Sequence, residues 1–366
     1  METNKSVPFA KLVESLRTHG VLKHKKRQEF TARILEGMLR QRSVQYREIA
    51  EGISLDIEVS SIERRVEDYL CKVEFDYEAL LVVLVCFVPG KLKRWTLSID
   101  RTEWDFGKLQ INILCVIVQV GRIGIPLYFE MLDNKSGNSG WKDRIKLFKK
   151  LIGKIGTDRI EAIVMDREFI GHRWLKWLKS KGIGFCVRVP KNHHLTLSNL
   201  EERRAEDLVN ARRRTCRLSK VLVDGVVLNA WVEYLPNGEL LYLIGTFTAQ
   251  HLPRLYRRRW SIEVFFQALK KRGLNLESSC IQTHKRMRKL FALVCLAYCC
   301  CWASAWAHRS KNGPRTTKKH GYPQYSDFHF GLIHVRNYLR NKANEFVENV
   351  LRELESNYQI HFKTVG

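Results

Sequence analysis

Apolar positions along the chain follow two different periods, and the change between them divides the sequence. Up to about residue 90 they recur every three or four positions, as in the run from Gln28 to Arg40, which predicts amphipathic helices. From Trp95 onward, short apolar runs bounded by turn residues predict strands that alternate with helices. We therefore predict a helical region over residues 1–90 and an α/β region after it.

Two short segments in the helical region resemble a helix-turn-helix. Residues 45–52 predict a first helix, a turn containing a glycine follows, and residues 58–69 predict a second helix. In such a motif Arg64 and Arg65 would lie near a DNA groove or backbone. We expect this region to bind DNA. A subdomain that serves only packing is the alternative, because many small helical bundles share the pattern.

The order of elements after residue 90 predicts the fold class. Three strands joined by short turns come first, and a basic helix, a strand, a second helix and a further strand follow. This is the order of a ribonuclease-H-like mixed sheet, so we predict an α/β fold with the first part of its catalytic core in residues 91–194. The segments are residues 95–100, 109–120, 125–132, 141–152, 160–166, 171–181 and 184–189.

A β-rich insertion is predicted over residues 195–250, because alternating apolar and polar residues replace the helical pattern there. Asp224-Gly225 and Asn237-Gly238 predict hairpin turns between its strands. The second part of the core follows over residues 251–308. A basic loop from Arg309 to Lys319 and an amphipathic helical region with a break over residues 330–355 predict a separate carboxy-terminal region, 309–366.

Residues 290–307 carry no charge and are just long enough to cross a membrane. Their Cys, Ala, Ser and Tyr content, within a very basic chain, favours a buried helix, so we predict no membrane partner. The ten cysteines have no paired framework and no ligand spacing, which favours reduced cytoplasmic thiols over disulfides or zinc.

The net charge of the chain indicates which kind of molecule it binds. Lys and Arg number 63 against 38 Asp and Glu, and the net charge of +25 predicts binding to a polyanion.

Candidate chemistry is concentrated between Tyr256 and Lys270. At about 100° per residue, Tyr256, Arg259, Glu263 and Lys270 point to roughly 0°, 300°, 340° and 320° on a helix. One acid, two cations and a phenol therefore share one stripe, while the other faces are apolar. A carboxylate between cations can stay ionised and bind a metal, and the cations suit phosphate. A surface helix with an i,i+4 Arg–Glu pair is the plainer alternative.

Two further acids complete the candidate site. Asp100 and Asp166 each end a predicted buried strand, and strand ends are the usual mouths of sites in α/β sheets. Three neighbouring carboxylates repel one another unless a cation joins them. Oxygen ligands select Mg²⁺ or Mn²⁺, and two such ions serve phosphoryl transfer. We predict that Asp100, Asp166 and Glu263 are catalytic and hold two ions.

These residues carry a resemblance to bacterial insertion-sequence transposases of the DDE class, in the family called insertion-sequence-four. Tyr256, Arg259, Glu263 and Lys270 match its Y-x2-R-x3-E-x6-K signature, and the Arg-Trp pair at 259–260 is similar to the transposon-five transposase. The resemblance covers about residues 95–300. The other matching blocks are Ser98-Ile99-Asp100 with Thr102-Glu103-Trp104, Met165-Asp166-Arg167-Glu168-Phe169, and residues 185–192 (FCVRVPKN).

The resemblance implies roles for single residues and for partners. Tyr256, Arg259 and Arg188 would contact phosphate near the transposon end, and Lys270 would support the same strand. An aromatic residue would hold a flipped base, as expected for an extruded base. Trp260 would border the site or pack in the core. The resemblance further implies double-stranded DNA as partner, a homodimer in the synaptic complex, and a bacterial, nucleoid-associated cytoplasmic location.

The function implied is Mg²⁺-dependent cut-and-paste DNA transposition, in which end cleavage, a hairpin intermediate and strand transfer use one metal site. Two alternatives stay open at this point. One is a domesticated DNA-binding protein without catalysis, and the other is a ribonuclease-H-like nuclease or resolvase. The intact acids and signature speak against the first, and the long insertion with basic helical flanks speaks against the second.

Overall fold

The computed structural model describes residues 7–106, 109–132, 137–210, 212–313, 315–319, 321, 323–341 and 345–363. Ten strands form one continuous sheet with the order β3-β2-β1-β4-β5-β10-β9-β8-β6-β7. The strands are β1 Trp95–Phe106, β2 Leu109–Val120, β3 Ile123–Met131, β4 Ile160–Met165, β5 Gly184–Arg188, β6 His194–Thr196, β7 Glu202–Arg204, β8 Thr215–Val223, β9 Val226–Tyr234 and β10 Leu240–Gly245.

The first five strands have the topology predicted from the sequence. β1, β2 and β3 pair antiparallel, and β4 and β5 extend the sheet parallel to β1. Helices α6 (Trp141–Ile155) and α7 (His172–Ser180) connect β3 to β4 and β4 to β5. The prediction of a ribonuclease-H-like α/β core is therefore confirmed. Near-continuous apolar residues in β2 and β4 are buried, as expected for strands covered on both faces.

The β-rich insertion extends this sheet rather than forming a second one. β10 pairs with β5, and β9, β8, β6 and β7 follow outward. Asp224 and Gly225 have φ of 48° and 68°, so both central residues of the β8–β9 hairpin are left-handed, as its two-residue turn requires. Both predicted hairpins are present. β6 and β7 escaped the sequence analysis because each has only three residues.

The amino-terminal helices and the carboxy-terminal helices pack on each other. α1 contacts α12, and α2 contacts α10 and α11. α3 and α4 lie where the two helices of the helix-turn-helix were predicted, with Arg64 and Arg65 exposed on α4. The helices are α1 Ala10–Thr18, α2 Lys25–Gln41, α3 Tyr46–Gly52, α4 Val59–Lys72, α5 Tyr77–Val85, α10 His284–Asn312, α11 Asp327–Asn341 and α12 Glu345–Tyr358.

Helix α10 is the apolar segment noted in the sequence. By length and composition it could cross a membrane, yet 89% of its apolar window is buried inside the protein, as in the core helix of a soluble domain. It continues to Asn312, so the predicted basic loop begins later than Arg309, after Gly313 with φ 76° ends the helix. In the last helical region, where one break was predicted, α11 ends at Asn341 and α12 begins at Glu345, and residues 342–344 lie outside the described residues.

Two predicted segments have different boundaries. β1 does not stop at Asp100 but runs to Phe106, because its polar second half still pairs with β2. The predicted helix from Tyr256 to Lys270 is divided: α8 spans Leu252–Tyr256, a 3₁₀ turn follows over Arg257–Arg259, and α9 spans Trp260–Leu269. Lys270 lies just beyond the end of α9.

Candidate active site

The end of the parallel ladder between β1 and β4 brings two acids together. Ile99 pairs with Met165 as the last register pair, so Asp100 and Asp166 are the next residues on the two strands. Asp166 directly follows β4, as predicted, whereas Asp100 lies inside β1. The two carboxylates are neighbours because each follows the last residue of the parallel β1–β4 pairing. Only β4 ends at that point, and β1 continues beyond it.

Arg259 connects the third acid to this ladder end. Its Nη1 donates to Asp100 Oδ2 at 3.1 Å, and its Nη2 donates to Glu263 Oε1 one turn along α9. The Tyr256 hydroxyl donates to Asp166 Oδ1 at 3.2 Å. α9 contacts β1 and β3, which places Glu263 over the sheet. The structure thus assembles Asp100, Asp166, Glu263, Arg259 and Tyr256 in one place.

Burial sets the electrostatics of this cluster. Burial raises the pKa of the Asp100 carboxyl to about 6, against the Arg101 backbone N–H and the Arg259 cation, and the charges of Asp166 and Glu168 raise it further. Burial also raises the pKa of Tyr256 to about 12, so its phenol stays protonated and donates. A buried, partly compensated carboxylate favours a cation beside it. In this arrangement that cation is Arg259.

The donor chemistry fits a divalent metal ion. Asp100, Asp166 and Glu263 offer only carboxylate oxygens, the ligands that Mg²⁺ and Mn²⁺ prefer. Among the described residues, however, no three Asp, Glu, His or Cys side chains converge on one ion position. The guanidinium of Arg259 lies between Asp100 and Glu263 and forms an ion pair with each of them.

A second ion pair, partly buried, joins β1 to the segment after β4. Arg101 follows Asp100, Glu168 lies two residues after Asp166, and Arg101 Nε donates to both Glu168 oxygens at 2.8 and 3.1 Å. From α6, Arg144 donates to the Glu168 carbonyl at 2.7 Å, and the Ser139 hydroxyl donates to Oε1 at 3.1 Å. Burial lowers the pKa of Arg144 to about 10, and the charge of Glu168 opposes that shift.

The Arg101–Glu168 pair is a positioning contact that the sequence analysis missed. In the sequence, Glu168 belongs to the matching block at residues 165–169, and Arg101 lies between two matching blocks, so neither residue was predicted to have a role. The sequence did contain a signal. Arg101 directly follows Asp100, Glu168 follows Asp166 by two residues, and the charges of Arg101 and Glu168 are opposite. That pair joins β1 to the segment after β4, directly beside Asp100 and Asp166.

The predicted DNA-contact residues have different surroundings. Trp260 is 59% exposed at the start of α9, which excludes the alternative of core packing. Arg188 forms an ion pair with Glu239 and lies near Tyr256. Lys270 does not join the acids: its Nζ pairs with Glu277 at 2.7 Å and lies 5.5 Å from the Trp104 ring centroid, because α9 ends before it.

Comparison with known proteins identifies the family. The family model described as Transposase DDE domain matches residues 94–300, more than half of the chain. The chain belongs to the DDE transposase family. This DDE transposase is by family a nucleic-acid-cleaving and joining enzyme, and such domains generally use divalent metal ions. No curated protein sequence matches it.

Solved structures of two transposases are similar to this DDE transposase over most of its length. A piggyBac transposase synaptic complex with hairpin DNA has 12% identity and a TM-score of 0.47, covering 97% of this chain and 82% of that one. A Drosophila P element transposase strand transfer complex has 12% identity and a TM-score of 0.24, covering 95% and 83%. At these TM-scores the likeness supports no inference about the site.

Proposed function

We propose that this protein is a cut-and-paste DNA transposase of an insertion sequence, with Asp100, Asp166 and Glu263 as its catalytic acids. The observation that carries the proposal is that these acids, far apart in sequence, lie in one cluster with Arg259 and Tyr256 beside the end of the β1–β4 ladder. Family membership supplies the class of reaction. The Y-x2-R-x3-E-x6-K match supports the insertion-sequence-four group, and with it a bacterial, nucleoid-associated cytoplasmic location.

Divalent ions, two per site, would be held by the three acids. When bound they would activate a water and stabilise the leaving oxygen, which is the chemistry common to end cleavage, hairpin formation and strand transfer. The protein's own residues prepare the site for this. Burial makes the ionised form of Asp100 unfavourable unless a cation lies beside it. Arg259 is that cation until a metal ion takes its place.

DNA contacts are proposed for the residues around the acids. Tyr256 and Arg188 lie beside Asp166, where a scissile phosphate would be bound. Arg259, once withdrawn from the acids, can donate both of its Nη groups to phosphate oxygens. The exposed indole of Trp260 offers a stacking surface for an extruded base. Lys270 is proposed to reach the same strand on release from Glu277. A homodimer is proposed to hold the two ends.

Excision and joining of a mini-element test the proposal. The DNA flanking the gene is searched for inverted repeats, which are then placed around a marker and incubated with protein and Mg²⁺. We expect end cleavage, a hairpin on denaturing gels and insertion into plasmid, all lost in Asp166→Asn. The surface variant Asp158→Asn is the matched control. Cleavage without joining would indicate a nuclease, and binding without cleavage would indicate a silent DNA-binding protein.

The place of Arg259 gives a second test that does not depend on catalysis. With Arg259→Ala, the acids lose their internal cation, so Mn²⁺ measured by calorimetry should bind more tightly than to the wild type. Binding of the element end should weaken, with a salt slope smaller by about 1. Unchanged Mn²⁺ affinity would show that Arg259 does not compete for the site.

A further inference from the structure

Helices α6 and α7 carry a concentration of positive charge that the active site does not use. Together they contain nine Lys or Arg residues and one acid, Asp143, which accepts the Gly140 backbone N–H. Lys142, Lys146 and Lys149 fall within about 60° of one another on α6, and all three are exposed. Lys176 and Lys179 form the corresponding exposed line on α7. We name these five lysines the α6–α7 face.

The two lines belong to one surface. α6 and α7 contact each other, and Phe148 of α6 packs against Trp174 and Trp177 of α7 with ring centroids 5.4 and 6.5 Å apart. The helices bury their apolar sides and turn their lysines outward. Lys142, Lys146, Lys149 and Lys176 have no carboxylate partner among the described residues. Charges left uncompensated at this density attract a polyanion rather than stabilise the fold.

The face starts at the active site. α7 follows β4, and α6 follows β3, which runs parallel to β1. Both helices therefore begin at the edge of the sheet where Asp100 and Asp166 lie. Arg144, in the first turn of α6, donates to the carbonyl of Glu168 at 2.7 Å, which fixes that turn beside the acids.

A half-exposed aromatic side chain lies where the first turns of α6 and α7 meet. Trp141, the first residue of α6, is 36% exposed, and Arg173 from the first turn of α7 lies 5.0 Å from its ring centroid. Lys142 lies 5.7 Å from the same ring. An exposed indole held between cations presents a flat surface and positive charge to the same ligand, the combination that binds nucleic acid.

We propose that the α6–α7 face binds the phosphate backbone of a DNA duplex that leaves the active site past Trp141. The partner follows from the proposed transposase function, and the duplex is the DNA that flanks the element, because that DNA continues directly from the strand cut at the acids. α6 is about 22 Å long, so the face spans about two-thirds of a helical turn of DNA. Backbone contacts of this kind add affinity without sequence preference.

Binding of a random-sequence 40-bp duplex, by fluorescence anisotropy without metal, tests the face independently of catalysis. The variant is Lys146→Gln/Lys149→Gln/Lys176→Gln. The control removes the same charge at the opposite edge of the sheet, with Lys91→Gln/Lys93→Gln/Arg94→Gln, all exposed. Losing three phosphate contacts should reduce the slope of log K against log salt by about 2 to 3. The control should keep the wild-type slope.

Equal losses in both triple variants, or an unchanged slope in the first, would overturn the proposal. Because this duplex is bound without metal and without cleavage, failure of the transposase proposal and failure of this one are separate results. Mini-element substrates then test the source. The first variant should lose cleavage only on substrates with 30 bp of flank rather than 3 bp. Loss of joining alone would assign the face to target DNA and overturn the flanking duplex, and loss of neither step would also contradict the proposal.

Discussion

The two ends of the parallel ladder between β1 and β4 are built on opposite principles. At its beginning, Trp95 is fully buried and makes a T-shaped ring contact with His361 at 5.4 Å, and the His361 ring is hydrogen-bonded to the Val88 carbonyl. Five residues later, Asp100 is a buried carboxylate that depends on Arg259. One end is sealed by apolar packing. The other holds charge that only a cation compensates.

The difference separates a part of the sheet that stabilises the fold from a part that holds the candidate active site. Packing at Trp95 lowers the free energy of the folded state, whereas desolvation of Asp100 raises it. A ladder anchored firmly at one end can carry an unfavourable group at the other. Changes at the two ends should therefore separate activity from stability.

The largest effect is expected for Asp100→Asn. Removing the anion should lower the rate of DNA cleavage by about three orders of magnitude or more, since metal-assisted charge stabilisation contributes several kcal/mol. The free energy of unfolding at pH 7 should rise, because a buried charge is removed. Single-turnover cleavage and urea denaturation measure the two quantities. Lower stability with full activity would reverse the assignment of the two ends.

At the other end, Trp95→Ala should reduce the free energy of unfolding by about 3–5 kcal/mol, as expected for a fully buried aromatic side chain. The rate of cleavage per folded molecule should stay the same. Trp95→Phe, which retains a ring against His361, should lose distinctly less. Denaturation with a parallel active-site titration provides the measurement.

The Arg101 partners allow a finer comparison within the active end. Glu168 is 15% exposed and Glu103 is 50% exposed, and both pair with Arg101. Glu168→Gln should cost about 1.5–3 kcal/mol of stability and weaken Mn²⁺ binding, because β1 and β4 are no longer fastened beside the acids. Glu103→Gln should cost less than about 1 kcal/mol and leave Mn²⁺ affinity unchanged. Equal Mn²⁺ affinities in the two variants would remove Glu168 from its positioning role.

The smallest effects concern pH, and the two ends should respond with opposite signs. The pKa of Asp100 is raised from 3.8 to about 6, so the folded state holds the proton longer and stability falls as pH rises from about 4 to about 6. Burial lowers the pKa of His361, so its contribution is lost as pH falls below 6.5.

Urea denaturation in chelator from pH 4 to 7.5 checks both signs. The stability advantage of Asp100→Asn over the wild type should grow by about 2 kcal/mol between pH 4 and 6.5. His361→Gln should lose least, relative to the wild type, at the acidic end. Parallel profiles for all three proteins would show that neither group titrates differently in the folded state.

Much of the core could be predicted because it rests on local patterns. Apolar runs and turn dipeptides identified the strands, and the acids after residues 99 and 165 were correctly expected to be neighbours. The second half of β1 was missed, since Arg101-Thr102-Glu103 is as polar as a turn and is held only by its pairing with β2. Helical periodicity also treated Tyr256–Lys270 as one helix.

The features that hydrophobic periodicity could not predict depend on contacts between residues that are distant in the sequence. The 3₁₀ turn at Arg257–Arg259 separates Tyr256 from Glu263, so each side chain approaches a different acid. Lys270 was expected on the same line, yet it lies past the end of α9 and finds Glu277. The Arg101–Glu168 pair joins residues 67 positions apart, which no local window contains.

The register between β1 and β4 has a consequence for reading genomes. The spacing of Asp100 and Asp166 is set by which apolar residues face each other across that ladder, so losing a single codon from either strand would turn one acid away from the other. If the proposed catalytic assignment holds, a gene copy with such a deletion keeps every signature letter and is nevertheless expected to be inactive. The proposed activity of a copy would then depend on the hydrophobic residues between the blocks as much as on the blocks themselves.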